Sequence, residues 1–375
     1  MRRLLTVGHS YVIAGNRRLA HEMAVQGGGK WDVTAAAPTR LRGDLREVEL
    51  EPIETEACAV RPLGLRLASM PHVRHYDRQL RSLMAARWDV VHVWEEPYVA
   101  ACAQVAFAAP SDARVVPATF QNIPKMYPPP FNYLERFVMN RAAGWIAFGT
   151  TVHDTQVAKA MYASKPSRVL SPGVDVGRFR PDCDARRSVR ARLEWDDSIP
   201  VVGYLGRFVP EKGLPLLMRA LAAARQPWRA LFVGGGPMAP DIAAFGAAHP
   251  GRVRVLTGVV HDAVPAHLNA MDLLCAPSQT GSRWREQFGR MLIEAMACGL
   301  PVAASDSGEI PHVVGDAGAI VSEHRVDDWT RTIDILLSDP AMRRDLSSRG
   351  QARANERYAL PAVARAHLAF FEELM

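Results

Sequence analysis

The sequence predicts an α/β protein built as two doubly wound parallel sheets. Its 375 residues exceed one ordinary core and fit two domains of about 150–200 residues each. Short apolar runs rich in Val, Leu and Ala alternate with helical stretches, the pattern of parallel α/β units. Glycine and proline cluster at residues 171–181, near the middle, and read as a linker. With 48% apolar and 22% charged residues, disordered, collagenous and coiled-coil classes are excluded.

The first apolar run, residues 4–7, follows Arg2 and Arg3. It is too short for a secretory signal, and polar His9, Ser10 and Asn16 follow without a cleavage pattern. It reads as a first strand of a cytoplasmic protein. A helix over about 16–26 comes next, stopped by Gly27-Gly28-Gly29. Further strands are expected at 32–36, 90–93, 114–118 and 145–148. A helix carrying Arg74, Arg78 and Arg81 on one face, with His72 and His75 near its start, is expected between them. After the linker, strands are expected at 200–205, 230–233, 253–257, 273–276, 301–304 and 319–321, each ending in Gly, Pro, Ser or Asp. Residues 361–375 have a helical period. The expected domains are 1–172 and 173–354.

No apolar run approaches the ~18 residues of a membrane span. The five cysteines (58, 102, 183, 275, 298) form no CxxC pair and fit free thiols in a reducing compartment. The net charge of +6 lies wholly in residues 1–172, with 21 Lys+Arg against 15 Asp+Glu; residues 173–375 balance at 24 against 24. A basic half suits an anionic partner, a membrane surface included, or is a solvated Arg-rich surface. Without interleaved basic and aromatic runs, nucleic acid is not expected as a partner.

Several stretches carry candidate chemistry. In Gly203-Tyr204-Leu205-Gly206-Arg207-Phe208-Val209-Pro210-Glu211-Lys212-Gly213, a strand ends and two cations follow. Arg207 and Lys212 at that edge can clamp a diphosphate; alternatively Arg207 pairs with Glu211 on the surface. Gly234-Gly235-Gly236 after the next strand lets backbone approach a ligand. It is not GxGxxG, which argues against a dinucleotide oxidoreductase. The stretch from Pro277 to Pro301 reads strand end, polar loop, helix, Gly stop, strand. Glu286 precedes the helix and Glu294 lies eight positions on. Phe288, Gly289 and Arg290 fall at the helix N-terminus, where free N–H groups form an anion site. Two acids there suit sugar hydroxyls; the bland alternatives are a helix-start acid and a surface acid. Glu95 and Glu96 follow a strand and can hold an acceptor, act as base, or cap the next helix. His9 and His92 either touch ligand or are satisfied core histidines. Asp182-x-Asp184 imitates a metal motif in what reads as a solvated stretch. Trp284-Arg285 walls a donor pocket or belongs to the core.

These motifs, in this order, resemble the retaining glycosyltransferases of family 4, which have the GT-B fold. The matching elements are GRFVPEKG, VGGGP, EQFGRMLIEAMACGLPVAASDSG and SPGVDVGRF, so that nearly the whole chain is covered. The resemblance implies two Rossmann-like domains facing across a cleft, with residues about 355–375 returning to the first. It implies a nucleotide-sugar donor on the second domain and a hydroxyl acceptor, from a glycan, a lipid-linked sugar or a small molecule, on the first. It implies that Arg207 and Lys212 neutralise the diphosphate and that Glu286 holds sugar hydroxyls. Glu294 then holds the ribose diol, and the amides of Phe288, Gly289 and Arg290 bind phosphate, with Gly206, Gly234 and Gly235 beside them. No cofactor and no metal is expected. The first domain departs from the pattern in two places. The loop from Gly8 through His9, Ser10 and Tyr11 to Asn16, a candidate contact for acceptor or sugar, lacks the family's paired glycine. Gln121 stands where many members have His. Alternative readings are a donor-binding subunit and another GT-B enzyme such as an epimerase.

Overall fold

The computed structural model describes residues 1–42, 47–52 and 55–375. It divides into two units, Met1–Gly173 joined by Leu360–Met375, and Val174–Ala359.

The first unit holds a seven-stranded sheet. Its strands are β1 (Arg2–Val7), β2 (Trp31–Pro38), β3 (Ala59–Leu63), β4 (Val90–Val93), β5 (Arg114–Thr119), β6 (Trp145–Ala147) and β7 (Ser167–Val169). All pairings are parallel, in the order β7-β6-β5-β4-β1-β2-β3. The four residues of β4 are buried, as strands covered on both faces must be. The second unit repeats the design with β8 (Val201–Arg207), β9 (Arg229–Gly235), β10 (Val253–Leu256), β11 (Leu273–Ala276), β12 (Val302–Ser305) and β13 (Ala319–Val321). Their order is β10-β9-β8-β11-β12-β13, again all parallel. The strand order therefore reverses once in each sheet, between β1 and β4 and between β8 and β11. That reversal opens a crevice beyond the strand ends, where ligands bind.

The helices that matter below are α1 (Ala14–Gly27), α2 (Gln79–Met84), α3 (Ala100–Ala108), α4 (Phe131–Arg141), α5 (Cys183–Arg192), α6 (Arg290–Ala297) and α7 (Leu360–Glu373). α1 ends at Gly28, whose φ of 51° closes the helix in the left-handed conformation that glycine adopts without penalty. α7 belongs to the first unit. Its Leu368, Phe370 and Phe371 pack with Leu19, Met23 and Trp31. The return begins at Leu360, so residues 355–359 stay with the second unit. There Val174 N donates to Tyr358 O at 2.7 Å, which ties the outgoing chain to the returning one.

The expected basic helix is not formed. α2 starts only at Gln79, Arg78 precedes it as its N-cap, and Arg74 is buried ahead of a two-residue strand, His75–Tyr76. Among the described residues no helix is long and apolar enough to cross a membrane.

Candidate active site

In the second unit the candidates come together past the ends of β8 and β11. Gln279 N donates to Glu211 O at 2.8 Å, joining the loops that follow these two strands. Lys212 Nζ lies 2.5 Å from Glu286 Oε2, and Ser278 Oγ donates to the same oxygen at 2.8 Å. The Lys212 ammonium also sits 5.1 Å from the centre of the Trp284 ring, a cation–π contact. Glu286 is buried, so Lys212 compensates a charge that would be costly alone. Its carbonyl accepts from Glu309 N at 3.0 Å. Gly308 presses on the same carbonyl: a Cβ there would stand 2.0 Å from it, with φ at +56°. Residue 308 must therefore be glycine for Glu286 to stay where it is. The Lys212 ammonium has three donors, enough to share between Glu286 and an arriving anion.

Arg207 is half exposed, 3.9 Å from Glu211. The expected surface pairing is thus present as a long contact, on a side chain still accessible to ligand. Gly206 and Arg207 pair in register with Gly234 and Gly235. A Cβ on Gly234 would lie 1.8 Å from Gly206 O, so the two strand ends meet only because a side chain is missing. Phe208 N donates to Gly235 O at 2.7 Å and fixes the turn out of β8.

Gly289 is the N-cap of α6, and no side chain caps that helix. Phe288 and Gly289 precede the first turn, and Arg290 opens it. Glu294 lies on α6 and is buried rather than a surface acid. His261 Nε2 stands 3.5 Å from its Oε1. Arg178 Nη2 lies 2.9 Å from His261 Nδ1. Arginine can only donate, so Nδ1 accepts and the proton sits on Nε2, facing Glu294. Ser278, Gly308 and Arg178 lie inside the quoted stretches but had no role assigned to them, and His261 lies outside every quoted motif.

In the first unit the candidates lie past β1 and β4, the other reversal point. His9 N donates to Glu95 Oε1 at 2.8 Å, and His9 Nδ1 lies 2.6 Å from Oε2. Tyr76 Oη donates to Oε1 at 3.0 Å, and Arg74 Nη2 stands 3.8 Å from Oε2. Burial alone would raise the Glu95 carboxyl, but the His9 ring and amide and the Arg74 guanidinium hold it below the usual range. Glu96 instead accepts from Thr119 Oγ1 at 2.6 Å and Phe120 N at 2.8 Å. Burial pushes its carboxyl up to about 6 against those bonds. Neither acid caps α3, whose N-cap is Val99.

Tyr11 is a core residue, its hydroxyl 2.7 Å from Thr6 Oγ1. His92 is fully buried with Nδ1 2.9 Å from the same Thr6 oxygen, so it is not a ligand contact. Asn16 Nδ2 donates to Ser10 O at 3.0 Å. Where the glycine pair is missing, Glu51 Oε2 accepts from Ala14 N at 2.8 Å and occupies the α1 N-terminus. A carboxylate there satisfies the helix end and opposes an anion. Gln121 follows β5; its Nε2 donates to Tyr127 Oη at 2.8 Å and its carbonyl accepts from Gln156 Nε2 at 2.7 Å.

Asp182 caps α5, accepting from Asp184 N and Ala185 N at 3.0 and 2.8 Å. Asp184 pairs with Arg187. Among the described residues no group of three His, Cys, Asp or Glu could hold a metal ion. A cavity of about 340 Å³ in the second unit, lined in part by Asp182, Arg186 and Cys298, shares no residue with the candidates past β8 and β11.

The family described as glycosyl transferases group 1 matches residues 185–353. A GDP-mannose-dependent alpha-(1-6)-phosphatidylinositol monomannoside mannosyltransferase of Mycolicibacterium smegmatis is 37% identical over 209 residues, 52% of this chain and 53% of that protein. The chain thus spans about half the length of that relative. A D-inositol 3-phosphate glycosyltransferase of Mycolicibacterium vanbaalenii is 30% identical over 332 residues, covering 80% of this chain and 68% of its own. Among solved structures, Anabaena Alr3699/HepE in complex with UDP matches with a TM-score of 0.75 at 18% identity, covering 100% of both chains. WaaG, a glycosyltransferase involved in lipopolysaccharide biosynthesis, matches with a TM-score of 0.66 at 16% identity over 96% of this chain and 97% of its own.

Proposed function

The chain belongs to the group 1 glycosyltransferases and has the GT-B fold, and from that premise we propose that it moves a sugar from a nucleoside diphosphate sugar to an acceptor hydroxyl, with retention of configuration and without a metal ion. The observation that carries this reading is the buried Glu286 held by Lys212 and Ser278 past β8 and β11. It sets a cation for a leaving diphosphate beside an acid for sugar hydroxyls. Lys212 and Arg207 offset the charge that builds on the diphosphate as its bond to the sugar breaks. The amides of Phe288, Gly289 and Arg290 add to this at the N-terminus of α6. Gly206, Gly234 and Gly235 let the backbone approach the phosphates, and Glu294 takes the ribose diol. The first unit supplies the acceptor side. Relatives named for inositol phosphate and phosphatidylinositol mannoside substrates favour a polyol or glycosyl hydroxyl as acceptor.

Lys212→Ala and Glu286→Gln should each reduce transfer by at least about 100-fold, with cooperative melting retained. Product formation from GDP-mannose and UDP-glucose, with the anomeric proton coupling read by NMR, measures this. Full activity in either variant overturns the site, and an inverted product or loss of activity in EDTA overturns the mechanism. One observation favours a second reading, a donor-binding subunit: Gln121 cannot titrate, and its amide is spent on Tyr127. Slow hydrolysis of the donor by the isolated chain decides against it.

A further inference from the structure

The reversal point of the first sheet carries a carboxylate–imidazole pair that the transfer chemistry above does not use. β1 and β4 are neighbours, with Val7 opposite Val93. His9 lies two residues beyond the one and Glu95 two beyond the other. The pair is built from both sides. Glu95 is 3% exposed, and its two oxygens are taken by the His9 amide and ring, by Tyr76 Oη and, at longer range, by Arg74. Such a carboxylate has no room for a substrate hydroxyl. Its role is to hold His9.

An ionised carboxylate can only accept, so it draws the imidazole proton to Nδ1 at 2.6 Å. The lone pair of the neutral ring is thereby fixed on Nε2. No described residue hydrogen-bonds that nitrogen, and the His9 side chain is 30% exposed. The hydroxyl of the next residue, Ser10, is buried without a partner among the described residues. A neutral Nε2 in this tautomer accepts from an O–H group and offers nothing to a phosphate oxygen. The α1 N-terminus nearby is closed to anions by Glu51.

We propose that His9, oriented by Glu95, binds the acceptor: Nε2 accepts a hydrogen bond from a hydroxyl of the acceptor sugar or polyol. Glu95 is a positioning residue that acts through His9. The proposal rests on the transferase reading above. It assigns no proton transfer, only the placement of the hydroxyl-bearing substrate. The charged and titratable groups around the pair are Arg74 and Tyr76, which touch Glu95, and Tyr11, Glu96 and Cys102, which stand near it. Burial and Glu95 keep Tyr76 protonated.

The test is steady-state kinetics of the full chain at pH 8, with the donor saturating and the acceptor varied. His9→Ala should raise acceptor KM about tenfold or more, the size of one lost hydrogen bond to a well-placed group. His9→Gln, whose carbonyl can accept in the same place, should recover part of the loss. Glu95→Gln should raise acceptor KM by less than His9→Ala does, because the ring remains but its tautomer is free. The melting-temperature rise caused by the nucleoside diphosphate should be the same in all variants, which shows that the donor unit is intact. Unchanged acceptor KM in His9→Ala overturns the proposal. So does a change confined to donor KM, which would place His9 on the donor sugar. If wild type transfers nothing from any donor, the transferase reading fails instead, and the two failures are distinct.

Discussion

His92 and His367 bring two imidazoles into the core of the first unit, 5.8 Å apart between ring centres. Each spends Nδ1 on Thr6 or on Val363 O, and neither Nε2 finds a partner among the described residues. Burial pushes His367 down to about 4, and both burial and the neighbouring ring push His92 well below its ordinary value. The folded state therefore refuses protons that the unfolded chain accepts from about pH 6.5 downward. The contribution of these rings to stability is constant above that pH and falls as pH drops toward 4, by about 3 kcal/mol for His367 alone. Urea titrations at pH 7.5 and 5 should show this loss, and His367→Phe should make it smaller; an unchanged slope would mean the ring titrates normally. Individual residues were legible in the sequence when their chemistry clashed with their surroundings. Glu294 sits among Ile, Ala and Met, and an acid there needs a purpose. Its neighbours in space were not legible: His261 lies in another loop and looks like any polar surface residue. Tyr11 misled for the converse reason, since a polar tip can be satisfied inside the core, whereas His92 took the core one of its two readings.

At the level of elements, the central strands announced themselves as apolar runs, and the edges did not. β3 is Ala-Val-Arg-Pro-Leu and mostly exposed, and β7 is three residues long; both sit at sheet edges, where burial imposes no pattern. The stretch around Arg74 has helical spacing of arginines, yet Arg74 is drawn inward toward Glu95, and only residues 79–84 become helix. Tertiary contact overrode the local period there. The meeting of β8 and β9 at Gly206 and Gly234 yields a further expectation. Gly234→Ala should force the strand ends apart and weaken nucleoside diphosphate binding more than it lowers melting, because the clash lies at the binding edge and not in the core. Isothermal titration alongside calorimetry separates the two, and unaltered affinity would remove the strand ends from the donor site. For α7, Phe371→Ala removes a fully buried ring packed against Trp31. It should cost about 3–5 kcal/mol, read as a lower melting transition of the first unit.

In the whole molecule, two sheets of the same strand order carry their candidates at the same place, past the strands where the order reverses. The alternation of strands and helices made two doubly wound sheets readable; which strands become neighbours is set by crossover handedness and could not be read from any one segment. The second unit is one continuous stretch with its own cores. Expressed alone, residues 174–359 should fold cooperatively and melt at higher temperature with a nucleoside diphosphate; a fragment that stays unfolded, or is blind to the nucleotide, would show that the donor site needs the first unit. The first unit is discontinuous, with α7 arriving only after the second is complete. On the ribosome, the unit begun first is thus finished last. At about 5–20 residues per second, the side of Leu19, Met23 and Trp31 that α7 will cover waits roughly 10–40 s in a nascent chain, an apolar face open to chaperones or to misassociation until the last helix emerges.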